Sequence, residues 1–344
     1  MQFAFAKSKS TSSKNISISV IVCAKNEAEN LKKFLPSIIN QDYEKFEVVL
    51  INDASSDDTL DVMKTFEEQH NNIKIVDVEN NEAFWGNKKY ALTLGIKAAS
   101  HNFLLFTDAD CKPVSNQWIK EMSSQFNNEK TVVIGYGAYK KKKFNLLNAL
   151  IRFETIFTAI QYFSYTKIGM PYMAVGRNLA YRREEFFNAN GFMSHMQIRS
   201  GDDDLFVNQV ANKSNTALCF SKDSFTESIP ETNFKNWFNQ KRRHISTANH
   251  YKPIHKTVLG LFYISQLLFW ITSIILLVLL FRWEIVVSLI AFRFVLQYIS
   301  FGLSAKKLDD TKLIYTLPFL ELFLIVSQFF IFISNLTSKT HHWR

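Results

Sequence analysis

The last quarter of the chain restricts the fold more than any other stretch. "TVLGLFYISQLLFWITSIILLVLLF" (257–281) carries no charge and is longer than the ~20 apolar residues that cross a bilayer core. "EIVVSLIAFRFVLQYISFGL" (284–303) follows after the tight "FRWE" turn and reads as the second arm of a hairpin, with Arg293 inside it. Residues 313–335 form a third run that contains Pro318 and Glu321. Apolar runs of this length exceed ordinary globular helices, so three transmembrane helices are expected. A lone charge in hydrocarbon is costly, so Arg293 and Glu321 are expected to pair. Lys306, Lys307 and Lys312 mark the connection between the second and third runs as cytoplasmic. The expectation is a multi-pass protein of the cell (inner) membrane, its N-terminal part cytoplasmic and the tail "TSKTHHWR" outside.

The start, "MQFAFAKSKSTSSKN", has too short an apolar run to be a signal peptide. Residues 1–15 read as a flexible lead-in. Cys23, Cys111 and Cys219 lie far apart with no CxxC pair. They predict reduced thiols rather than a zinc site or a disulfide framework. The net charge of +9 is spread along the chain. A basic face against anionic lipid accounts for it as well as nucleic acid does, and no nucleic-acid partner is expected.

Residues 16–250 alternate apolar, β-branched runs with helical periodicity. Strands are expected at 16–24, 46–53, 73–78 and from Phe103. Helical spacing links them, as in Leu31, Phe34, Leu35, Ile38 and Ile39. This order predicts an α/β fold with a mostly parallel sheet, whose ligands bind beyond the carboxyl ends of the strands. Those ends carry Lys25-Asn26-Glu27, Asn52-Asp53 and Asp108-Ala109-Asp110. Neither GxGxxG nor GxxxxGK[ST] is present, so a bound nucleotide would be held by side chains and its phosphates by a metal. Alternation along an extended turn puts Asp108 and Asp110 on one side, where a hard divalent cation takes carboxylate and phosphate oxygens together. Trp85 in "FWGNKK" offers a stacking surface. "KKKKFNLLNALIRFETIFTAIQYFSYTKIGMPYM" (140–173) is basic, then aromatic and amphipathic, and predicts an interfacial helix near 144–165.

Six segments in order, "VIVCAKNEAENL", "VVLINDASSDDT", "NKKYALTLGIKAA", "FLLFTDADC", "GDDDLF" and "QKRRH", resemble the membrane-bound branch of the family 2 inverting glycosyltransferases. The resemblance implies a GT-A-type fold followed by the transmembrane helices, a nucleotide-sugar donor (a UDP-sugar by preference) and Mg²⁺ or Mn²⁺. On the donor side it implies Glu27 and Asp53 at the base or ribose. Lys88 falls at the diphosphate with Lys89 as its rival, and Asp108 and Asp110 form the DxD pair. The general base falls in "GDDDLF". Alignment on the following "DL" selects Asp202; alignment on "GDD" selects Asp203, the preferred candidate. Gln240 and Arg243 match QxxRW, with His244 in place of the Trp beside the acceptor. Gly176, Arg177 and Asn178 match the acceptor-side strand and turn. The chemistry implied is attack by a hydroxyl deprotonated by a carboxylate, with cations neutralising the departing diphosphate. The acceptor is expected to be a lipid or a lipid-linked glycan at the membrane. A processive polysaccharide synthase is the alternative, and a non-catalytic membrane scaffold the reading from another class.

Overall fold

The computed structural model describes residues 2–7, 16–79, 88–198 and 200–337. In chain order the elements are β1 Ile18–Ala24, α1 Ala28–Ile39, β2 Phe46–Asp53, α2 Thr59–Gln69, β3 Ile73–Val78, α3 Lys88–Ala98 and β4 Phe103–Asp108. Next come β5 Cys111–Pro113, α4 Trp118–Ser124, β6 Val132–Ile134, β7 Gly137–Tyr139, α5 Leu146–Lys167, β8 Leu179–Arg182, α6 Arg183–Asn188, α7 Asp204–Val210, β9 Thr216–Leu218 and β10 Thr226–Ser228. Helices α8 Phe234–Thr247, α9 Pro253–Val278, α10 Trp283–Lys307 and α11 Leu317–Thr337 complete the chain.

The chain divides into two compact units. The first is drawn from Lys7–Lys140 and Tyr165–Pro230. Its main sheet runs β3-β2-β1-β4-β8-β6-β9, and a second sheet runs β5-β10-β7. Strands β3, β2, β1 and β4 are parallel; β8 is antiparallel to both β4 and β6. The parallel strands are nearly all apolar because helices cover them. Val20, Val22, Val48, Leu50 and Leu105 on one side pack with Leu31, Leu35 and Ile38 of α1 and with Trp118, Ile119 and Met122 of α4. The expected α/β sheet is therefore present. Residues 80–87, including Trp85, lie outside the described residues.

The second unit is drawn from Met1–Ala6, Lys141–Ser164 and Glu231–His341. Three of its helical segments, Pro253–Val278, Trp283–Lys307 and Thr311–Thr337, are long and apolar enough to cross a membrane. The first begins earlier than the apolar run, because Pro253 at the first helical position is preset for a helix start. Pro318 does not break the third. It lies in the first turn of α11, where its missing N–H has no intrahelical partner to lose. Arg293 and Glu321 form an ion pair. Gln297 Nε2 donates to the same carboxylate at 2.5 Å, and Arg293 stacks over Phe269.

This unit changes three expectations. The stretch 231–250 and most of α5 group with the apolar helices rather than with the α/β unit. The reason is packing: Arg242 bonds Asn335 and the Ser334 carbonyl, and Phe153 contacts Phe301. Helix α5 is also not a helix with a free apolar face. Leu150, Ile151, Phe153, Ile156, Ala159 and Phe163 are all buried, Arg152 forms a buried pair with Asp310, and Lys241 pairs with Glu154 at 2.5 Å. The lead-in is not wholly flexible. Gln2–Phe5 form a 3₁₀ turn with Phe3 buried, and Lys307 Nζ donates to the carbonyls of Phe3, Ala4 and Ala6. Residues 8–15 lie outside the described residues.

Removing one partner of a buried ion pair leaves the other uncompensated. Glu321→Leu is therefore expected to cost about 3–5 kcal/mol, read as a large drop in melting temperature in detergent. The double change Arg293→Met with Glu321→Leu should recover most of the loss.

Candidate active site

Strand register sets the site. Ala24 lies opposite Asn52 across the β1–β2 ladder, and Cys23 lies opposite Asp108 across the β1–β4 ladder. The polar groups that follow the three strands therefore meet at one edge. Two loops there are laced together. Asn26 N–H donates to Ser55 Oγ at 3.0 Å, Ser56 N–H to Asn26 Oδ1 at 2.8 Å and Glu27 N–H to Thr59 Oγ1 at 2.8 Å. Asn26 takes a left-handed φ of 57°, which asparagine tolerates better than most residues. Asn52 is buried and committed, its amide bonded to Asp77 Oδ1 at 2.7 Å and its carbonyl accepting from Ser55 N–H. Asp53 is left as the carboxylate at this end. Burial pushes the Asp53 carboxyl up, opposed by Lys25 and Lys88. Burial also raises Glu27, which accepts from Asn30 at 2.6 Å.

Asp108, Asp110 and Cys111 bring one potential ligand atom each within 4.8 Å of one another. Burial and then the Asp108 charge push the Asp110 carboxyl up, against Arg177 and Lys88. Two carboxylates crowded in this way, with hard oxygen donors, fit a divalent cation. Cys111 is a poorer donor: its thiol is buried, bonded to Ser228 Oγ at 2.8 Å, and held well above its usual pKa, chiefly by burial.

Lys88, at the start of α3, is the centre of the charge arrangement. Its Nζ lies 2.9 Å from Asp108 Oδ1 and 3.3 Å from Asp202 Oδ2. Burial works against the ammonium, but the two carboxylates outweigh it and hold it well above its ordinary value. A pocket between β4, the β8 entry and the α7 entry is lined by Lys88, Asp108, Gly176, Tyr181, Asp202 and Asp203. Lys89, the rival candidate, points elsewhere. It is fully buried and donates to the carbonyls of His195 and Ile198 at 2.7 and 2.9 Å, just before the "GDDD" loop. Burial lowers its pKa to about 8.

The two candidate bases differ in their bonding. Asp203 is the N-cap of α7: one carboxylate oxygen accepts from Asp204 N–H at 2.7 Å, the other from Gly176 N–H at 2.6 Å. Gly176 suits this approach, because a Cβ there would lie 3.2 Å from the Asp203 oxygen. Burial, then the charges of Asp202 and Asp204, raise Asp203 to about 8. Asp202 faces Lys88 instead.

Two of the expected acceptor-side residues are placed otherwise. Asn178 is fully buried. Its Nδ2 donates to the carbonyls of Tyr136 and Ser224 at 2.9 and 2.7 Å, and its Oδ1 accepts from Trp118 Nε1 at 3.0 Å. Its burial leaves no surface for a sugar, and it instead ties the two sheets together. Arg177 donates to the Gly137 carbonyl at 2.7 Å and stacks over Tyr139, and its charge bears on Asp110 and Cys111. It backs the carboxylate pair. Sequence spacing held no signal for either placement, since both depend on strands far apart in the chain. Gln240, Arg243 and His244 all lie on α8 in the helical unit.

The family model described as glycosyl transferase family 2 matches residues 19–198. A poly-β-1,6-N-acetyl-D-glucosamine synthase of Staphylococcus epidermidis is 37% identical over 93 residues, which are 27% of this chain and 21% of the synthase. Glycosyltransferase AglE of Haloferax volcanii is 29% identical over 120 residues, 34% of this chain and 38% of that protein. The chain thus spans well under two thirds of either relative. Among solved structures, mannosyltransferase PcManGT from Pyrobaculum calidifontis, in complex with GDP-Man and Mn²⁺, superposes with a TM-score of 0.57 at 19% identity over 75% of this chain and 72% of that one. That likeness is one of fold.

Asn178→Ala is expected to leave buried groups unsatisfied at ~1–3 kcal/mol each. The measurement is melting temperature, which should fall before any selective change in KM appears. Lys89→Met should behave in the same way.

Proposed function

Because the chain belongs to glycosyl transferase family 2, we propose that this glycosyltransferase moves a sugar from a nucleotide-sugar, by preference a UDP-sugar, to a hydroxyl of a lipid or lipid-linked glycan. The transfer inverts the anomeric carbon. The observation that carries this reading is Lys88 bridging Asp108 and Asp202. A donor-side carboxylate and an acceptor-side carboxylate share one pocket, with a cation between them.

Asp108 and Asp110 would hold Mg²⁺ or Mn²⁺, which when bound offsets charge on the diphosphate. Asp53 and Glu27 bind the base and ribose. Lys88 leaves its carboxylates for the diphosphate and stabilises the negative charge that grows there as the sugar departs. In this reading Asp202 is the base. Both oxygens of Asp203 already accept backbone N–H groups, so Asp203, the candidate preferred from sequence, holds the loop. Asp202, released by Lys88, takes the acceptor proton. By motif alone, Gln240 and Arg243 serve the diphosphate and His244 the acceptor.

The apolar helices support a membrane acceptor, and the lysines between the second and third support a cytoplasmic catalytic domain at the inner membrane. The staphylococcal relative favours a second reading, a processive synthase of an N-acetylhexosamine polymer. Product length separates the two.

The test uses purified protein with membrane lipid extract, a panel of UDP- and GDP-sugars, and Mn²⁺ or EDTA. One donor should release its nucleoside diphosphate only with metal, and Asp110→Asn should lose about a hundredfold or more. No release from any donor would reject the reading.

The pH profile assigns the base. Asp203 titrates at about 8, so a rate that needs its ionised form climbs as pH rises through 8. No such climb is expected, and Asp202→Asn should lose far more kcat than Asp203→Asn.

A further inference from the structure

We propose that the segment Lys141–Leu146 is a lipid-contacting finger, and that its partner is the headgroup and upper acyl region of an anionic bilayer. The proposal rests on reading the three long apolar helices as membrane spans.

Phe144 is fully exposed and stands at a φ of 54°. A bulky residue takes this left-handed conformation only where its surroundings impose it. Leu146 is 62% exposed, and Lys141 and Lys143 are exposed beside them. Two hydrogen bonds impose the turn. Asn145 Oδ1 accepts from Asn148 N–H at 2.7 Å and starts α5. Asn148 Oδ1 reaches back to accept from Lys142 N–H at 2.8 Å. Together they turn Phe144 outward, where water gives an aromatic side chain no favourable contact.

The height of the finger is fixed by the apolar helices themselves. Lys141 Nζ lies 3.4 Å from Asp309 Oδ2 and also donates to the Asp309 carbonyl. Arg152, further along α5, grips Asp310 through two nitrogens. Asp309 and Asp310 lie just past the end of α10 and just before the third apolar segment, which begins at Thr311. The finger is thus held level with the ends of two spans, where hydrocarbon gives way to headgroups. The same connection carries Lys312 and Tyr315, the latter 84% exposed. Aromatic and basic side chains suit this boundary: lysines attract anionic headgroups, and Phe144 and Leu146 enter the apolar layer. The rest of α5 adds little to such contact, because its apolar residues are already buried.

The full chain carries the test. A nitroxide is placed at Phe144→Cys in a Cys23→Ser background, Cys111 and Cys219 being buried. The protein is reconstituted into phosphatidylcholine vesicles with and without phosphatidylglycerol. Leu146→Cys serves as a second position should the first variant fold poorly. Electron paramagnetic resonance then compares collisions with oxygen and with a water-soluble nickel chelate. Oxygen should dominate, the preference should grow with phosphatidylglycerol, and it should shrink in Lys143→Glu, a residue outside the Asp309 pair. Nickel access equal to that of the same label on a soluble peptide would overturn the finger. Spin–spin broadening that vanishes on mixing with unlabelled protein would also overturn it, by showing a second copy on the patch. Extraction of the protein from vesicles by alkaline carbonate would overturn the spans reading on which the finger depends.

Discussion

Carboxylates cannot gather at a sheet edge without a counter-charge, and Lys88 supplies it. Asp108 and Asp202 come from a strand end and a loop nearly a hundred residues apart, and both lean on one ammonium. The strands can therefore end in acids without mutual repulsion opening the edge. In the proposed reaction, whatever draws Lys88 away must bring positive charge to Asp108 or negative charge to Lys88. A metal-bound diphosphate would do both, and the resting ion pairs and the proposed chemistry would then be two states of one electrostatic balance.

Around that balance the fold places side chains committed to structural hydrogen bonds. Asn178 joins the two sheets, Arg177 backs the carboxylate pair, Asp203 caps α7 and Lys89 holds the loop before it. None of these is free to move with a substrate. This division between committed and exchangeable polar groups is what lets a few side chains change partners while the rest hold geometry. In the helical unit the buried charges Arg293 and Glu321, and Arg152 and Asp310, meet as pairs in an apolar setting.

The sheet was legible because buried parallel strands need unbroken β-branched runs, and their spacing by helical periods admits little else. The apolar helices were legible by length alone. The gathering of Glu27, Asp53, Asp108 and Asp110 at one edge was legible because they lie at or just after the ends of neighbouring parallel strands. Asn178 was misjudged because an asparagine after a glycine and an arginine looks the same whether it faces a sugar or a carbonyl. Helix α5 was misjudged for a related reason: an amphipathic face facing lipid and one facing protein share a periodicity.

What the sequence alone determined is the order of elements, the apolar segments and the residue types at each strand end, since these follow from local periodicity. Tertiary structure decided which acids share a counter-ion, which of Asp202 and Asp203 keeps its oxygens free of backbone donors, and which lysine of the Lys88–Lys89 pair faces the pocket. Neighbouring residues on a helix point about 100° apart, so one lysine reaches the carboxylates while the other reaches the His195 and Ile198 carbonyls. Only the packing of α3 against the sheet sets which is which.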